Sequence, residues 1–302
     1  MNKINKQKII ISSILLLLFL LTLPYLIIPL TFTSFPFSKL ITSILAFIYA
    51  SSSCLISISH YSKLSKLEND KIKNFLLTFW SGITVIFTYF FSAIIQSLPL
   101  LLINPNIAQI PLIIKTIYLS IFEICQVTFI SFLLKEQIKP AIKDIKKNYK
   151  NCFVNCAKYY LLAITIMMIS NLFISTINSG NIAGNEEAIR ETLAKAPIYM
   201  YFSAVIIAPL LEELVFRQAI RNIFTNNKLF IIMSGLIFGG LHVIGNINTP
   251  IDILYLIPYS IPGFAFAYML TKTNNIFVST GFHFLHNAIT ISLQVLLMIL
   301  GA

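Results

Sequence analysis

The chain has 302 residues, 57% of them hydrophobic and 11% charged, with a mean hydropathy of +0.83. A soluble domain cannot hide that much apolar surface, and the apolar runs lack the polar–apolar alternation of barrel strands, so the expected fold class is all-α, a polytopic membrane protein. The formal net charge of +11 comes from lysines gathered between apolar runs, which is the distribution of cytoplasmic loops and argues against a nucleic-acid partner.

The N-terminus, "MNKINKQKIIISSILLLLFLLTLPYLIIPL", begins like a signal peptide, but its apolar stretch of about 22 residues is too long for one. It reads as a retained first span. Stretches able to cross a ~30 Å hydrocarbon core follow, giving nine in all: about 9–30, 40–59, 75–98, 110–134, 159–177, 197–220, 229–247, 251–270 and 276–300. Lysine and arginine concentrate in alternate connections, above all at Lys135, Lys139, Lys143, Lys146, Lys147, Lys150 and Lys158. The positive-inside rule then puts the N-terminus in the cytoplasm and the C-terminus outside. The chain divides into residues 1–150, with four spans, and residues 151–302, with five.

Glu123, an acid in the fourth span, reads as an interhelical hydrogen-bond partner. Cys54 and Cys125 read as small core residues. Cys152 and Cys156, one helical turn apart, lack a second pair of ligands at zinc spacing. The segment "NSGNIAGNEEAIRETLAKAP" is expected to hold a short helix capped by Asn185, with Glu186 and Glu187 in its first turn. It reads as a solvated connector in preference to a gate. No internal repeat of the kind found in inverted-repeat transporters is visible.

Within the sixth span, "APLLEELVFRQ" places two acids and an arginine where each acid costs ~2.5–3.5 kcal/mol on insertion scales. Glu213 and Arg217 stand i, i+4 with the acid first, the favourable order for a pair. Glu212 is turned about 100° away and points to another face. Pro209 removes one backbone hydrogen bond and frees the carbonyl of Val205, loosening the helix beside the acids. Further on, "FGGLH" sets Phe238 and His242 one turn apart beside Gly235 and Gly239, a face that admits another helix closely. "HFLHN" sets His283 and Asn287 one turn apart, with His286 turned away. At 1.5 Å per residue, Glu212, His242 and His283 lie roughly 13, 20 and 10 Å from the cytoplasmic ends of their spans, compatible with one cavity. A lone membrane histidine is ordinarily a satisfied interhelical donor. Glu212, His242, His283 and Asn287 on three helices make a candidate site.

These three motifs, in this order, resemble the EExxxR, FxxxH and HxxxN motifs of the CPBP intramembrane proteases. That family joins the CAAX prenyl endopeptidases to Abi-type bacteriocin-processing and immunity proteins, and the resemblance covers about residues 155–302. It implies an intramembrane endopeptidase in which Glu212 activates water and His242 orients or polarises it. Glu213 and Arg217 would hold the helix and the local field, and His283 and Asn287 would donate to the oxyanion of the tetrahedral intermediate. No cofactor is expected. Zinc held by a glutamate and two histidines is the second reading, disfavoured because there is no HExxH pair and asparagine is a poor zinc ligand. A non-proteolytic scaffold or immunity protein and a proton-coupled transporter are further alternatives. The expected partners are membrane lipid and a peptide or membrane-protein substrate. High Ile, Lys and Asn usage points to an AT-rich bacterial genome, hence to a bacterial plasma membrane.

Overall fold

The computed structural model describes residues 62–300 apart from 105, 246 and 248, together with scattered residues between 41 and 60. The first expected span lies outside the described residues, and the second falls mostly outside them. Among the described residues every regular element is helical. Seven helices are long and apolar enough to cross a membrane: α1 (Asp70–Ile103), α2 (Leu112–Leu133), α3 (Lys135–Ile177), α5 (Pro197–Ile223), α6 (Asn227–Ile244), α7 (Pro250–Thr273) and α8 (Ile276–Leu300). These are the third to ninth expected spans. A short helix, α4 (Gly184–Lys195), lies between α3 and α5.

The chain divides between Phe122 and Glu123 into two compact units. In the first, Asn69 caps α1 by accepting from the Ile72 N–H at 3.1 Å, as a side chain must where the first amides have no helical partner. Leu64, Leu67 and Trp80 form its buried cluster, with His60 edge-on to Trp80 at 5.1 Å. The Tyr118 hydroxyl donates to the Gln96 carbonyl at 2.9 Å, fastening α2 to α1.

The second unit holds α3 to α8. α3 runs 43 residues, well beyond the expected 159–177. The lysine-rich stretch 135–158 continues the helix, with Pro140 early in it, because its Lys, Glu, Gln and Ala residues are good helix formers. It also has a face to bury: Ala141, Cys156 and Tyr160 are all inside. Farther along, Leu162, Ile169, Leu172 and Phe173 are left 60–72% exposed, an outward apolar face suited to lipid and not to water. Cys125 is exposed on α2, which corrects its expected place in the core: one face of that helix points outward and carries it. Cys54 lies outside the described residues.

α6 and α7 touch backbone to backbone. A Cβ added to Gly263 would stand 2.8 Å from the Gly235 Cα, and one added to Gly239 would stand 2.2 Å from the Ser260 Oγ. The close approach thus requires glycine at these positions. Polar ties close both ends of the unit. Asn275, fully buried, donates to the Ala141 carbonyl at 2.9 Å and to Asp144 at 2.7 Å. Its own oxygen accepts from the Phe277 N–H at 3.1 Å, so one side chain starts α8 and ties it to α3. At the other end Asn178 donates to Asp252 at 3.1 Å. Asp252 in turn accepts from the Thr249 N–H at 2.7 Å, capping the turn that opens α7.

Candidate active site

α5 is not a uniform α-helix. Residues Phe202–Ile207 and Leu214–Ala219 wind as π-helix on either side of an α-helical segment, Ala208–Glu213. Such insertions concentrate at functional sites, and here they bracket the paired acids. The first explains an unexpected contact. The Ala208 N–H donates to the Ser203 carbonyl, five residues back. In that register the Ala204 carbonyl falls opposite the nitrogen of Pro209, which has no hydrogen to give. The carbonyl freed is therefore that of Ala204 and not Val205, because the proline acts through i→i+5 winding. Asn287 of α8 supplies the missing donor, its Nδ2 reaching the Ala204 oxygen at 2.8 Å. That bond also fixes which end of the amide carries hydrogens. In the second π turn, the Ser234 hydroxyl of α6 donates to the Phe216 carbonyl at 2.5 Å.

Glu213 and Arg217 are both wholly buried, 3.3 Å apart. The guanidinium donors are not aligned for hydrogen bonding, since the second π turn begins between the two residues. The guanidinium lies instead over the ring of Phe238 at 4.4 Å and near that of Phe266 at 5.5 Å, where the π faces offer it compensation. The His283 Nδ1–H donates to Glu213 at 3.0 Å, and the other nitrogen of the same ring stands 3.6 Å from Glu212. Phe266 stacks on His283 at 5.1 Å and Phe238 meets it edge-on at 5.9 Å, so the imidazole is held in one orientation.

Glu212 differs from its neighbour. Its side chain is 17% exposed against 0% for Glu213, so one carboxylate is accessible and the other is committed to a cation. His242, half-buried near the end of α6, directs Nδ1 to the Phe238 carbonyl at 2.8 Å. A carbonyl oxygen can only accept, so Nδ1 carries hydrogen and Nε2 is the acceptor nitrogen of the neutral ring. The structure thus gathers Glu212, Glu213, Arg217 and His283 into one cluster. His242 adjoins it through Phe238, whose ring lies 4.5 Å from the His242 ring, while Asn287, one turn after His283 on α8, is bonded to the Ala204 carbonyl. His286 points elsewhere, edge-on to Tyr160 at 6.5 Å.

Several participants escape sequence reasoning. Phe266, Ser234 and the Ala204 carbonyl belong to no motif, and Tyr259, 5.0 Å from His242 and nearly parallel to it, stands in "LIPYSIPG", where its phenol, next to Ser260, is one of two hydroxyls among apolar residues. Glu123 accepts from the Tyr199 hydroxyl at 2.9 Å and from Ser203 at 3.0 Å, an interhelical partner to α5. Asn185 is not the cap of α4: Ala183 holds that position and Asn185 turns inward, while Glu186 and Glu187 do occupy the first turn.

Residues 194–289 match the family described as type II CAAX prenyl endopeptidase Rce1-like. A Bacillus subtilis protein named "Putative membrane peptidase YdiL" is 28% identical over 118 residues, 38% of this chain and 45% of that protein. The UPF0177 protein YxdF of Lactococcus lactis is 30% identical over 132 residues, covering 43% of this chain and 66% of that one. An uncharacterized Mycoplasma capricolum protein is 31% identical over 170 residues, 51% of this chain and 48% of its own. The chain thus spans about half the length of most of these relatives. No solved structure matches it significantly.

Proposed function

We propose, from the premise that this chain belongs through residues 194–289 to the Rce1-like CAAX prenyl endopeptidase (CPBP) family of membrane peptidases, that it cleaves peptide bonds within the membrane by a glutamate-activated water. One observation carries this reading: of two adjacent acids, Glu213 is buried against Arg217 and His283, while Glu212 remains accessible beside the same imidazole. Glu212 is then the general base and His242 orients the water through Nε2. Glu213 and Arg217 hold the cluster, with His283 bonded to Glu213. As the carbonyl carbon becomes tetrahedral, the second Nδ2 hydrogen of Asn287 donates to its oxyanion, and so does Nε2–H of His283 as the imidazolium, its Nδ1–H staying on Glu213, since donors fixed in advance favour charge that develops later. The first Nδ2 hydrogen is already used on Ala204, so the second points in a set direction. Comparing membrane peptidomes of cells carrying the wild-type chain and Glu212→Gln tests the reading. Peptides present only with wild type are expected, and identical peptidomes would overturn it.

The zinc alternative has a poorer donor set. Among the described residues no group of three His, Cys, Asp or Glu converges as metal ligands do. Proteolysis is expected to survive chelation. One zinc per chain by elemental analysis, lost and restored together with activity, would reverse the preference.

The substrate proposed is a leader peptide, a bacteriocin precursor or a membrane-protein tail, cleaved in a bacterial plasma membrane. We propose nine spans with the N-terminus in the cytoplasm, on the lysine distribution. Cys156 is wholly buried and Cys152 half-buried, so a variant retaining Cys152 alone should react with a membrane-impermeant maleimide only after permeabilisation. Labelling in intact cells would invert the orientation.

A further inference from the structure

His242 stands near the end of α6, where a terminal side chain would ordinarily be loosely held. Here the imidazole lies between two rings: Phe238 on its own helix, at 4.5 Å and 47°, and Tyr259 of α7, at 5.0 Å and 23°. Tyr259 is set by rigid neighbours. Its successor, Ser260, is the residue against which Gly239 packs, so the register of α7 on α6 places the phenol over the imidazole. The far end of the phenol is held as well, its hydroxyl accepting from Asn185 of α4 at 3.4 Å.

α4 is a strap and not a free connector. Its outward face carries the Arg190–Glu186 pair at 3.1 Å and Lys195 paired with Glu191. The Lys195 hydrogen bond holds the Glu191 carboxyl below its usual range. Its inward face buries Leu193 completely, in a cluster with Ala204, Val205 and Ile291, and packs Ile189 beside them. Glu186 also accepts from Gln294 of α8. α4 therefore touches the helices that bear Glu212 and Asn287, and through Tyr259 it reaches the imidazole on the third.

We propose that Tyr259 is a positioning residue for His242, and that α4, through Asn185, holds Tyr259 in place. The inference rests on the reading of His242 as the residue that orients the water. The stack keeps the ring in the plane where Nδ1 meets the Phe238 carbonyl, and so keeps Nε2 as the accepting nitrogen. Without the stack the ring turns about its side-chain bonds and the two tautomers mix.

The test needs no substrate. The full chain, labelled with nitrogen-15 in its histidine rings and held in detergent, gives an imidazole spectrum in which the His242 signals are those that vanish in His242→Ala. In wild type they should be those of a single tautomer with hydrogen on Nδ1. Tyr259→Leu should average or split that spectrum with the His283 signals unmoved. Tyr259→Phe, which keeps the stack and loses only the hydroxyl that Asn185 holds, and Asn185→Ala should both give a smaller change of the same kind. Unaltered His242 signals in Tyr259→Leu would overturn the inference, and so would mixed tautomers already present in wild type. Failure of the peptidome comparison leaves this spectrum unaffected, so the two readings fail separately. Where cleavage is observed, Tyr259→Leu should slow single turnover by about 10²-fold, the scale of a misplacement near 1 Å, with binding unchanged and with Tyr259→Phe and Asn185→Ala slowed less.

Discussion

Glu212→Gln should abolish cleavage while leaving the folded protein as stable as wild type, and Glu213→Gln should do the reverse first, lowering thermal stability before its effect on activity can be read. The two side chains are neighbours in sequence, but their surroundings differ in kind. Glu212 is partly accessible and meets only one nitrogen of His283, at 3.6 Å, so its amide analogue keeps the shape and removes the base. A positioned base is worth typically 10²–10⁴-fold in rate. Glu213 has no exposure and faces Arg217 and the Nδ1–H of His283. Neutralising it leaves the cation to the faces of Phe238 and Phe266 and the weaker field of Glu212. Breaking one half of a buried pair costs about 3–5 kcal/mol. Arg217→Met should share the loss, and the double change Glu213→Gln with Arg217→Met should recover part of it, because no unpaired charge remains. Thermal unfolding and single-turnover cleavage of all four variants in detergent decide the matter. A stable but inactive Glu213→Gln beside an active Glu212→Gln would exchange the roles of the two acids.

Asn287→Ala is expected to injure the protein twice. Loss of one oxyanion donor typically lowers kcat by about 10²–10³. The same change also strips the Ala204 carbonyl of its partner inside a membrane helix, and a buried acceptor so orphaned costs about 1–3 kcal/mol. Pro209 cannot relieve it. The two effects separate through a second variant, Pro209→Ala, which restores an N–H opposite that carbonyl. Combined with Asn287→Ala it should regain stability but not turnover. If the double variant regains turnover as well, Asn287 serves the helix and not the reaction. A raised KM at unchanged kcat would equally remove it from the oxyanion role.

What the sequence discloses of this molecule follows from which physics is local. The helical class and the seven described spans are written in hydropathy and length, and the i, i+4 spacing of Glu213 and Arg217 is a property of any helix. The two π turns of α5 are not. Nothing in "FSAVII" or "LVFRQA" distinguishes i→i+5 from i→i+4 bonding, because that choice depends on side chains far along the chain. Asn287 and Ser234 each supply a hydrogen to a carbonyl of these turns. The reach of α3 was hidden for the opposite reason: its lysines read as a loop, although the segment is strongly helix-forming and buries Ala141 and Cys156. The stack of Tyr259 on His242 depends on α6 and α7 touching through glycine, a pairing that Gly235 and Gly239 announce without naming the partner helix.

The 43 residues of α3 come to about 65 Å at 1.5 Å each, roughly twice a hydrocarbon core of ~30 Å. Half of that rod must therefore project beyond the bilayer, and the projecting half is the one studded with lysines, each favoured by about 1 kcal/mol near an anionic headgroup layer. Asn275 bolts the start of α8 to Ala141 and Asp144, within that projecting half. His283 follows seven residues after Ile276, about 10 Å along α8. The carboxylate–imidazole cluster is thus held at a fixed distance from the lysine-rich half of α3, a spacing set inside the protein and not by the thickness of the bilayer around it.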